Sequence, residues 1–200
     1  MKKLSKDLLF RMVVGYVAYL FLVWTSFRVF ISLPEVIEEL WFKPIIWLVP
    51  VFWIWWLGGK KIEFFGKEWL RSILWGFMLG IIYLGLVYFL VGFSDFGFDL
   101  DKLGVGFVTA VVENLVFAGF LLPVLIWKWG RFAGLMTNGA LFAVIHLPIA
   151  VFVYRADAVS LLGLFLLSFS IGVMNGWIRV RTGSVIGAIV ASWLWVLASL

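Results

Sequence analysis

The sequence predicts an all-α membrane protein: a polytopic helix bundle of about seven transmembrane helices with a cytoplasmic N-terminus. Three observations carry that prediction. The 200 residues are 64% hydrophobic and 14% charged, with a mean hydropathy of +1.12, whereas a soluble domain is about half apolar and about a quarter charged. The apolar runs are bounded by charge and approach the roughly 20 residues that a span needs. The basic residues gather on alternate loops, as the positive-inside rule requires of the cytoplasmic ones.

The elements follow in order. MKKLSKDLLFR is basic and runs into MVVGYVAYLFLVWTSF. No small-residue cleavage site follows and further spans do, so Leu8–Ile31 reads as an uncleaved signal anchor. PEVIEELW places Glu35, Glu38 and Glu39 in a short interfacial helix ahead of the second span, Leu40–Leu57. The other spans are Ser72–Phe93, Val105–Trp127, Phe132–Val153, Val159–Ile178 and Ser184–Leu200. The second and last are short, which tilt or local bilayer thinning accommodates. Residues 1–200 read as a single integral membrane domain, with no soluble domain, linker or internal repeat.

Twelve of the sixteen Lys and Arg residues fall on the inner side; only Arg28, Lys43, Lys102 and Arg155 fall outside. The acids sort the other way, with Glu35, Glu38, Glu39, Asp95, Asp99, Asp101 and Asp157 outside. The net charge of +5 therefore reflects membrane topology and implies no nucleic-acid partner. GGKK at 58–61 is a basic turn without the glycine spacing of a phosphate loop. The absence of cysteine removes disulfides, thiolate nucleophiles and Cys-based metal sites. A compact chain without targeting extensions points to a prokaryotic plasma membrane.

One acid then remains within the membrane, Glu113, about halfway along the fourth span, and the sole histidine, His146, lies within the fifth. A carboxylate and an imidazole at similar depth can share a proton and activate a water. A buried Glu can equally act as interhelical glue or a proton relay. Asn114, Thr137, Asn138, Ser170 and Asn175 read as glue of the same kind. A catalytic zinc wants three protein ligands; one His, one intramembrane Glu and no Cys fall short, so no metal and no cofactor are expected. Ser184 in RTGSV reads as a helix cap. The thirteen Trp and twenty-one Phe read mostly as lipid-facing surface and interfacial belt.

Three segments resemble one family. ENLVFAG from Glu113 resembles the EExxxRG motif of the CAAX-protease and bacteriocin-processing (CPBP) family. LFAVIHLP, with Phe142 and His146, is similar to its FxxxH motif. FSIGVMNGWIRVRTGSVIGAIVASW resembles the stretch leading into its HxxxN motif. The motif-bearing helices cover roughly 105–200, and FKPIIWLVPVFWIW resembles the early spans more weakly. The resemblance implies an all-helical bundle with an intramembrane cavity. It also implies an endopeptidase acting on membrane-anchored proteins, such as prenylated CAAX proteins, or a role in bacteriocin processing or immunity. By the same resemblance Glu113 is the general base, His146 its partner in activating water, and the third motif stabilises the oxyanion.

The departures are as informative. Asn114 stands at the second glutamate, Ala118 at the arginine, Ser192 at the third-motif histidine and Val196 at its asparagine. Asn114 cannot act as a base, and Ala118 removes a cation that would favour an ionised Glu113. Each lost oxyanion donor costs on the order of 10²–10³ in rate; Ser192 retains one hydroxyl and Val196 offers none. Three readings stay open: a peptidase using Glu113 and His146, a pseudoprotease scaffold that binds a membrane partner, and a proton-coupled carrier. On the residues alone the balance tips slightly toward a degenerate member.

Overall fold

The computed structural model describes residues 5–31, 33–58, 66–91 and 100–199, and the elements among them are helices. Helix α1 (Lys6–Phe30) starts where Ser5 Oγ accepts a hydrogen bond from Leu8 N at 3.3 Å, satisfying one of the orphan donors of a helix start. Helices α2 (Glu35–Ile37) and α3 (Lys43–Gly58) are joined by a π-helical segment, π1 (Glu38–Phe42), closed by Lys43 N–H on Glu38 O. The expected interfacial helix and second span are therefore one continuous element, with a candidate span over Glu38–Leu57. Helix α4 (Trp69–Val91) follows; GGKK, Asp95 and Asp99 lie largely or wholly outside the described residues.

Five helical stretches among the described residues are long and apolar enough to cross a membrane, with Ile186–Trp195 a shorter sixth. The longest, Leu103–Phe152, contains α5 (Leu100–Asn114), a second π segment, π2 (Leu115–Leu121), α6 (Leu122–Val144) and α7 (Leu147–Phe152). It is not one rod. Gly130 has φ 80° and ψ 170° inside α6, a conformation essentially confined to glycine. The chain doubles back there, and a Cβ on Gly134 would stand 2.7 Å from Ile126 N. This reversal falls where the sequence separated Trp127 from Phe132. The second arm breaks again at Ile145–His146, ahead of Pro148 in the first turn of α7, because proline lacks the N–H that would continue the ladder. His146 thus sits at a helix break, not within a continuous fifth span.

Helix α8 (Ala158–Thr182) is capped by Asp157, whose Oδ1 accepts from Ser160 N at 2.7 Å, a bond that holds this carboxyl below its ordinary pKa. Gly183, at φ 70°, supplies the left-handed residue that ends α8. In α9 (Ile186–Ser199), Ser184 Oγ accepts from Ile186 N at 3.3 Å, in line with its expected capping role.

Packing is closest where small residues meet, as in membrane bundles generally. Helix α4 lies along α9, with Gly76 against Gly187, and Gly187 N–H donates to Ser72 Oγ at 3.0 Å. Helix α6 lies along α8, where a Cβ on Gly172 would stand 3.0 Å from Gly139 Cα. Part of the aromatic load expected at the lipid forms the core. Trp24 meets Trp47 edge-on at 5.6 Å, Trp47 meets Phe117 at 6.1 Å, and Phe117 meets Phe142 at 5.1 Å. Three of these rings, Trp24, Trp47 and Phe142, line the site described next.

Candidate active site

Glu113 is the penultimate residue of α5, immediately ahead of π2; π-helical turns are frequent at functional sites. His146 occupies the break between α6 and α7. Its Nδ1 lies 2.6 Å from Phe142 O. A carbonyl only accepts, so Nδ1 carries the proton and Nε2 is left to face Glu113. The distance from Nε2 to Glu113 Oε1 is 3.7 Å, too long for a direct hydrogen bond and short enough for one water to touch both groups. Phe142 braces the imidazole with its ring centroid 4.9 Å away. Glu113, His146, Phe142 and Ser192 line one cavity of about 400 Å³.

Two expectations about charge are corrected. Glu113 is not the sole acid in the interior, and it does not lack a cation. Glu38, Glu39 and Lys43, sorted to the outer side by sequence position, are buried, Lys43 to 4% exposure. Lys43 Nζ donates to Glu113 Oε1 and to Glu39 Oε2, each at 2.7 Å. Thr109 Oγ1 donates to Glu39 Oε2 at 2.7 Å, and Arg28 pairs with Glu38. The reason is local: π1 and the start of α3 carry residues 38–43 against α5. A charge taken out of water needs a partner at contact distance, and these groups supply one another.

The remaining motif positions divide. Asn114 does not line the cavity; its Nδ2 donates to Ala110 O and to Ser192 Oγ, both at 2.9 Å. Asn175 Nδ2 donates to Ser192 Oγ at 2.6 Å and to Asn114 Oδ1 at 3.1 Å. The expected glue role of Asn175 is thus realised as a tie joining α5, α8 and α9. Ser192 Oγ spends both acceptor positions on these amides, so among the described residues its own proton is left to donate, and the residue lines the cavity. Ala118 is buried with Val185 and Ala188 in a small apolar cluster away from the cavity lining. The side chain of Val196 lies outside the described residues.

Sequence reasoning missed Arg28, Glu39, Lys43 and Thr109, all of which line the cavity. The one available signal was Glu39 and Lys43 at i and i+4 at the head of an apolar run, the spacing of a helical ion pair. Neither a curated protein nor a solved structure matches the chain. A family model, type II CAAX prenyl endopeptidase Rce1-like, matches residues 100–198, the half that carries Glu113, His146 and Ser192. Through that half the chain belongs to the Rce1-like family of CAAX endopeptidases, in agreement with the resemblance of its motifs.

Proposed function

We propose that the chain is a glutamate-dependent intramembrane endopeptidase acting on a membrane-anchored peptide or protein, with Glu113 as general base and His146 as its partner. The observation that carries this reading is the 3.7 Å between Glu113 Oε1 and His146 Nε2 at the wall of a 400 Å³ cavity. A water held there loses a proton to the carboxylate as its oxygen attacks the scissile carbonyl. The oxyanion so formed takes the free proton of Ser192 as a hydrogen-bond donor. Glu113 then passes its proton to the departing amine. No acyl-enzyme forms, because the nucleophile is water.

The balance between an active and a degenerate member shifts on one point. The loss that Ala118 represents is offset by Lys43, which brings an ammonium to the same carboxylate. The scaffold reading keeps a specific support of its own: Asn114 is bound into the Ser192–Asn175 network, where it braces helices. We further propose one membrane domain over residues 1–200. Counting the two arms about Gly130 separately, and α9 with the rest, supports a reading of seven spans; the basic loops support a cytoplasmic N-terminus, and we place the chain in a prokaryotic plasma membrane.

The test is cleavage of a fluorogenic membrane-anchored peptide by the purified full-length chain. Glu113→Gln and His146→Ala should each abolish it. Cleavage that survives both substitutions, or a parent with no cleavage of any anchored peptide, sinks the peptidase reading. Retained capture of a partner by both inactive variants would then favour the scaffold. Flux across liposomes that follows a pH gradient would favour the proton-coupled carrier.

A further inference from the structure

Lys43 stands out because four groups converge on one ammonium. Two are the carboxylates of Glu39 and Glu113, each at 2.7 Å from Nζ. The other two are indole faces, with Nζ 5.1 Å from the Trp47 ring centroid and 5.7 Å from that of Trp24. A flexible four-carbon stem is ordinarily free to move. Here cation–π contact and two charge-assisted bonds fix its head in one place. Glu39, itself bonded by Thr109, is the ammonium's second anchor. The contacts of Glu113 among the described residues all fall on Oε1: Lys43 at 2.7 Å and His146 at 3.7 Å. The second oxygen, Oε2, is left to the cavity.

We propose that Lys43 is the positioning residue of the Glu113 carboxylate, so that the amino-terminal half completes the site borne by residues 100–198. Lys43 acts through Glu113: it holds Oε1 and so sets the direction in which Oε2 meets the water. The whole assembly, Trp24 from α1, Glu39 from π1, Lys43 and Trp47 from α3, lies outside the segment that the family model matches. The inference rests on the peptidase reading above.

Two measurements on the full-length chain test it. The first is activity-independent. An apolar carbodiimide activates a carboxylate as an O-acylisourea; an amine in contact then attacks the acyl carbon, forming an amide and releasing the urea. In the Glu39→Gln chain Lys43 retains one acidic neighbour, so mass spectrometry should find a Lys43–Glu113 isopeptide that Glu113→Gln abolishes. Glu113 modified by the reagent without that link overturns the geometry. The second is kinetic. Lys43→Met should lower kcat about 10²-fold, the usual cost of misplacing a reacting group by about 1 Å, with KM within about twofold. Lys43→Arg should recover most of the loss. Normalising to folded protein separates this from a merely structural role, which would lower the folded fraction and leave kcat alone. Should Lys43→Met fail to fold, the crosslink and Lys43→Arg decide. A parent stopped by Glu113→Gln but indifferent to Lys43→Met overturns Lys43 alone, whereas a parent with no cleavage removes the peptidase reading and this role with it.

Discussion

Ser192→Ala separates two jobs that one hydroxyl performs. The oxygen accepts amide donors from Asn114 at 2.9 Å and Asn175 at 2.6 Å, while its proton is free for the cavity. Removing it leaves two buried N–H groups without that acceptor. Interhelical hydrogen bonds in membrane proteins average about 0.6 kcal/mol and reach about 1.7, so the two together are worth about 1–3 kcal/mol of stability. Loss of one oxyanion donor costs on the order of 10²–10³ in kcat, about 3–4 kcal/mol of barrier. The two effects register in different assays, thermal unfolding in detergent and peptide cleavage by the folded fraction. Asn175→Ala is the control, since it breaks the same network and keeps the hydroxyl: stability should fall comparably and kcat should hold within a few-fold. Ser192→Ala with reduced stability but unchanged kcat refutes the donor role. Unchanged stability refutes the accounting of the network.

Three further outcomes rest on packing. Gly187→Ala would drive a methyl to 2.6 Å from Ser72 Oγ and against Ser72 O; overpacking of this kind costs about 1–3 kcal/mol, so the unfolding midpoint should drop. Gly163→Ala, with open space at its Cβ, should leave that midpoint unchanged or raise it. Ala118→Arg restores the family letter but thrusts a guanidinium between Val185 and Ala188, so folded yield should fall with no gain in activity. A well-folded and more active Ala118→Arg would argue against Lys43 as the source of the cation.

Much of the site was legible because unusual residues mark it. Glu113 and His146 are conspicuous in apolar runs, and motif spacing singled out Phe142 and Ser192 as well. The turn at Gly130 was legible too, since Lys128 and Arg131 interrupt the apolar run on either side of a glycine. Lys43 was not legible. A lysine at the head of a span is ordinarily an interfacial anchor, and nothing in its neighbours announces the π turn that buries it. The break at His146 was half-visible in Pro148, but its consequence, an imidazole turned so that Nε2 faces a carboxylate, was not.

The sequence by itself determined that this is a membrane-spanning helical protein, where its apolar segments lie, and which family its second half resembles. These follow from local causes: without water, each backbone must satisfy its own hydrogen bonds within a helix, and hydropathy is counted residue by residue. Only the tertiary structure decided which charges meet. The pairing of Lys43 with a glutamate seventy positions away depends on the π turn ahead of Lys43 and on how α3 seats against α5. Those are matters of register between distant segments. A shift of one residue in either helix would turn the same side chains toward lipid, and no local pattern records it.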